Sequence, residues 1–161
     1  MDRVGNTYLK SKSRSGQYSD EYRALDTARW ARLYGIPFKD ADVTDVDWSL
    51  IVRACLAAKQ LGAIAEFARV MYSQTFGLGS VPKSRELLAA IAEDIGLDRP
   101  SFERLVEAAE TFDMEEAVLE SALSAGAFGV PTFVVGDELF WGQDRMPLLV
   151  DHLKNTRRAV D

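Results

Sequence analysis

The chain has 161 residues, of which 47% are hydrophobic and 27% charged, enough for one sizeable core and inconsistent with disorder throughout. Nineteen Lys and Arg against 25 Asp and Glu leave a net charge of −6, which argues against a general nucleic-acid binder, since phosphate affinity rests on basic surface. A single cysteine, Cys55, and a single histidine, His152, exclude an internal disulfide, a CxxC pair, a cysteine zinc cluster and a multi-histidine metal site within these residues.

Residues 1–18 are polar, with Gly5, Asn6, Gly16 and the basic run at 10–15, and are expected to form a loop or arm. Six helical patterns follow. Ser19 or Asp20 can cap a first helix through Tyr34, stopped by Gly35 and Pro37, with Tyr22, Leu25, Ala28 and Ala31 as its apolar stripe. Asp45 or Asp47 begins a second, with Leu50, Ile51, Ala54, Ala57, Ala58 and Leu61 at helical spacing. After Gly62, Ile64, Phe67, Ala68 and Met71 mark a third that ends near Gly77–Gly79; Met71, Tyr72 and Phe76 read as core. Ser84 starts a fourth helix closed by Gly96. Ser101 opens a fifth, and residues 113–126 form a sixth closed by Gly126.

The period then changes. Thr132–Val135 and Glu138–Trp141 read as two strands joined by the turn Gly136-Asp137, an antiparallel hairpin. Asp144 suits the N-cap of a last helix carrying Met146, Leu148, Leu149, His152 and Leu153, with Pro147 in its first turn. A hairpin cannot stand alone, so one face must pack on helices. Its outer edge wants another strand, and nothing upstream of residue 19 offers one. The fold class is α/β and mostly helical. No apolar run approaches the roughly 18 residues of a membrane span. The first 22 residues hold no signal-peptide core. A cytoplasmic protein with no membrane or nucleic-acid partner is expected.

The chemistry concentrates late in the chain. Gly129-Val130-Pro131-Thr132 sits where a loop enters the first strand. Pro131 cannot donate to a ladder, and its position suits either a cis X–Pro bond or a trans proline opening an edge strand. A cis bond would turn the Val130 N–H and C=O outward, free to pair with an extended, peptide-like ligand. Cys55, beside Ile51, Ala54 and Ala58, reads as a buried inert thiol. His152 reads as a surface or boundary residue.

The segment from Gly126 to Leu153, with its Gly-Val-Pro-Thr at 129–132 and Trp-Gly-Gln-Asp-Arg at 141–145, resembles the C-terminal half of kappa-class glutathione transferases. It resembles most closely the bacterial 2-hydroxychromene-2-carboxylate isomerases of the DsbA-like thioredoxin superfamily. Residues 22–38 and 47–126 are similar to the helical insertion of that family. The resemblance implies an arm at 1–18, an inserted helical domain at 19–126 and the C-terminal ββα part of a thioredoxin-like domain at 127–161.

It further implies glutathione as the cofactor and a small aromatic-derived acid as the substrate. The ligand's thiol would add reversibly to an unsaturated intermediate and allow rotation about a former double bond. Val130, Pro131, Gln143, Asp144 and Asn6 would bind glutathione, and Trp141 would line the substrate cleft. The family's serine-bearing turn belongs to a first strand–helix–strand unit that has no counterpart in residues 1–161. The chain is therefore expected to be N-terminally truncated, to hold no catalytic residue of its own and to show little or no isomerase activity. Two rivals are a DsbA-like dithiol oxidoreductase without its CxxC segment, and a non-catalytic helical module. The open hairpin edge leaves room for a homodimer.

Overall fold

In the computed structural model, which describes residues 20–158, seven α-helices and one hairpin follow the predicted order. Helix α1 (Asp20–Tyr34) ends where Gly35 takes φ 66. Helix α2 (Trp48–Gln60) begins on Asp47, whose carboxylate accepts the Leu50 amide at 3.0 Å. Helix α3 (Ile64–Tyr72) runs on into a π-helical turn, Ser73–Gly77. Helix α4 (Arg85–Asp94) is capped by Ser84. Helices α5 (Arg99–Val106) and α6 (Ala109–Ser124) complete the series. Strands β1 (Thr132–Val135) and β2 (Glu138–Trp141) pair antiparallel, Thr132 opposite Trp141 and Val135 opposite Glu138. Helix α7 (Met146–Arg158) closes the described chain.

The chain divides into two compact units, one of residues 17–116 and one that takes in 117–161. In the first, α2 packs on α3, α4 and α5. Ala54, Ala57, Ala58, Ala89 and Ala92 are fully buried, and their small side chains let the helix backbones approach closely. Phe67 and Phe102 fill the space that remains, with ring centroids 5.5 Å apart. Arg53 is also buried. Its guanidinium lies 4.2 Å from the Phe112 ring and donates to Ser49 Oγ at 2.6 Å, and Ser49 donates to Glu115 at 2.7 Å. This chain of contacts ties α2 to the first half of α6. In the second unit, α7 packs on the hairpin face that carries Glu138 and Phe140.

Several expectations change. The fifth helix is capped by Asp98, which accepts the Ser101 amide at 3.0 Å, and not by Ser101. Pro100 then falls in the first turn, where its missing N–H costs nothing. The stripe of α1 is not buried: Ala31 is, whereas Tyr22 and Leu25 are exposed. Tyr72 and Phe76 are not core either, being 66% and 39% exposed, while Met71 is buried as expected. The π-helical turn explains Phe76, because an extra residue per turn rotates it away from the buried face of α3. Of the apolar residues of α7, Leu149 alone is buried, since two strands cover a single row of side chains.

Cys55 is half-buried, and burial pushes its thiol above the usual range. The fold therefore favours the neutral thiol. That contribution to stability is complete below the thiol's unfolded pKa and is lost as pH rises through the higher folded value. Iodoacetamide should alkylate Cys55 much more slowly in the native protein than in urea, with its rate rising at a higher pH. Equal rates, followed by mass spectrometry, would contradict this.

Candidate functional site

The loop entering β1 and the segment leaving β2 are bound to each other. The Gly142 amide donates to the Pro131 carbonyl at 2.9 Å, and Thr132 Oγ1 donates to the Gly129 carbonyl at 2.6 Å. The Val130–Pro131 bond is cis. Val130 is 89% exposed, and among the described residues its backbone N–H and C=O form no hydrogen bond. An unpaired donor and acceptor on one exposed residue is a template for an added peptide strand.

Trp141 sits over this loop. Its indole packs on Phe128 with centroids 5.0 Å apart. A Cβ on Gly129 would lie 2.5 Å from Trp141 Nε1, so only glycine admits the indole there. Gly142, at φ 105, redirects the chain out of β2 into a short 3-10 turn, Gln143–Arg145. Within that turn Arg145 Nη1 donates to Asp144 Oδ2 at 2.8 Å, both side chains half-exposed. The expected N-cap bond of Asp144 is absent; its carboxylate holds the guanidinium instead, and the 3-10 turn separates it from α7. An exposed pair of this kind contributes little stability. It does set a carboxylate and a guanidinium side by side.

Val130, Trp141, Gly142, Gln143, Asp144 and Arg145 together line a depression of about 230 Å³. Four residues singled out from sequence, Val130, Trp141, Gln143 and Asp144, are thus neighbours, with Pro131 bonded to the same rim. Asn6 lies outside the described residues. Arg145 joins them on the lining of the depression, and its place in the Trp-Gly-Gln-Asp-Arg run is the signal for it in the sequence. His152 is half-buried and has partners that spacing alone did not show: Glu138 Oε1 lies 3.4 Å from Nδ1 and Phe140 packs on the ring. Among the described residues no group of three His, Cys, Asp or Glu is placed to hold a metal ion. No helix of the described residues is long and apolar enough to cross a membrane.

A ββα unit whose first strand follows a cis-proline, with a helical segment before it in the chain, points to the class. The description of DSBA-like thioredoxin domains matches residues 10–154, and the chain belongs to that family. Within it, the chain is similar to the 2-hydroxychromene-2-carboxylate isomerase of Pseudomonas putida, 31% identical over 130 residues, covering 80% of this chain and 63% of that protein. The enzymes of the same name from Pseudomonas sp. (strain C18) and Sphingobium xenophagum are each 30% identical, again over 80% of this chain, and over 60% and 65% of their own lengths. The chain therefore spans less than two thirds of the length of these relatives. A solved structure of a 2-hydroxychromene-2-carboxylate isomerase superposes with a TM-score of 0.72 at 27% identity, covering 86% of this chain and 68% of that one. The DsbA-like thioredoxin fold expected from the motifs is thereby established.

Proposed function

We propose that this protein serves a glutathione-dependent isomerisation of the 2-hydroxychromene-2-carboxylate type, acting on a small aromatic-derived acid in the cytoplasm. In this reading the depression at Val130–Arg145 holds the glutathione peptide. The observation that carries the proposal is the unpaired, exposed backbone of Val130 beside an adjacent carboxylate and guanidinium. The similarity to isomerases across 80% of the chain supports it.

The residues divide the work by chemistry. The Val130 N–H donates to, and its C=O accepts from, the cysteinyl backbone. Asp144 receives the ammonium of the γ-glutamyl group, and Arg145 and the Gln143 amide receive its carboxylate. Trp141 supplies a flat apolar wall. Glutathione, when bound, supplies the thiol that adds reversibly to the substrate. A ligand-borne thiol agrees with the state of Cys55, whose half-buried thiol is disfavoured as a thiolate.

Calorimetric titration separates this reading from adventitious thiol binding. Glutathione should bind saturably at one site. Cysteinylglycine, which lacks the γ-glutamyl group, should bind about ten-fold more weakly, as should glutathione to Asp144→Asn, because a hydrogen bond to a charged group is lost in each case. Equal affinity for the two peptides, or turnover of 2-hydroxychromene-2-carboxylate that ignores glutathione, would overturn the proposal.

A further inference from the structure

We infer that the helical unit carries a small-molecule site of its own: a groove between Ile36–Phe38 and Tyr72–Phe76 that takes an uncharged, flat aromatic ring. The groove encloses about 500 Å³, within the usual size of a ligand pocket. Among the described residues, neither a carboxylate, an ammonium nor a guanidinium lines it, so none of them compensates the desolvation of a charged ligand.

The chain builds the groove deliberately. The reversal after α1 sends Ile36, Pro37 and Phe38 across the π-helical turn, and the Lys39 amide donates to the Phe76 carbonyl at 2.6 Å. Close backbone approach is required on the same side: a Cβ on Gly79 would lie 3.0 Å from the Asp40 carbonyl. π-Helical turns are rare and concentrate at functional sites.

The rings indicate the shape of the occupant. Phe38 and Phe76 are within 8° of parallel with centroids 6.4 Å apart, and Tyr72 and Phe76 are within 21° at 6.1 Å. Three ring planes that share one orientation favour a flat ring lying against them over a rounded apolar group. Ile36, Tyr72 and Phe76 remain 56%, 66% and 39% exposed, a bare patch of the kind that marks a binding surface.

This inference does not rest on the glutathione reading, and its test contains no glutathione. The probe is 2-naphthol, with its saturated counterpart 2-decalol and the charged naphthalene-2-sulfonate as comparisons, titrated calorimetrically. 2-Naphthol should saturate one site. Phe76→Ala and Tyr72→Ala should each weaken it by roughly three- to ten-fold, the worth of one aromatic contact, and Phe76→Trp should retain it. 2-Decalol and the sulfonate should bind more weakly than 2-naphthol by a similar factor. Both substituted side chains project outside the core, and circular dichroism checks that the helices persist. Equal affinity for 2-decalol, 2-naphthol binding unaffected by Phe76→Ala in a folded protein, or no saturable binding would each overturn the inference.

Discussion

Phe67→Ala is expected to destabilise the helical unit by about 3–5 kcal/mol, near the upper end for a core truncation. The ring is fully buried and packs on Phe102, itself 1% exposed. What makes the loss large is the surroundings. Ala54, Ala57, Ala58, Ala89 and Ala92 have no side-chain length with which to move into a void, and the backbones that carry them belong to packed helices. The cavity should therefore persist rather than collapse. Urea unfolding followed by far-ultraviolet circular dichroism measures the effect. A change below about 1 kcal/mol would mean that the core relaxes around the deletion, contrary to the packing described.

Gly129→Ala is expected to disable the candidate site with a more modest effect on stability, about 1–3 kcal/mol, as for other overpacked positions. The new methyl group would lie 2.5 Å from Trp141 Nε1 and 3.1 Å from Cε2. The indole is rigid, so it must swing outward as a whole, away from Phe128 and out of the wall of the depression. In a Trp30→Phe, Trp48→Phe background, Trp141 is the sole tryptophan. Its emission should shift to the red in the Gly129→Ala protein, and glutathione affinity should fall by roughly three- to ten-fold, the worth of one lost aromatic contact. An unchanged emission maximum with unchanged affinity would show that the indole does not shape the site.

The order of elements was legible because capping and terminating residues are local. Asp47 and Ser84 each accept the amide three residues on, as spacing alone suggests. The fifth helix was misplaced at Ser101 although Pro100 pointed to the earlier cap, since its fixed φ belongs in a first turn. The Asp144 cap failed because a 3-10 turn intervenes, a choice made by the Gly142 backbone rather than by any side-chain pattern. Periodicity marked the apolar faces of α1 and of the run ending at Phe76. It cannot say whether another element covers a face, nor can it anticipate a π-helical turn that shifts the phase.

The proximity of Val130, Trp141, Gln143 and Asp144 was legible because the hairpin brings two short motifs together at its base. The Asp144–Arg145 pairing and the contact of His152 with Glu138 were not. Both depend on how a turn or a helix packs, which residue spacing does not encode.

The central claim is that the peptide of glutathione lies along Val130 and against the turn at 143–145. Backbone amide mapping by nuclear magnetic resonance tests it most directly. On titration with glutathione, the amide signals of Val130, Trp141, Gln143, Asp144 and Arg145 should move together along one saturable curve, and the Phe67 and Ala89 amides in the helical core should stay fixed. Saturable binding that moves the helical unit while leaving Val130 and the turn at 143–145 unperturbed would contradict the account.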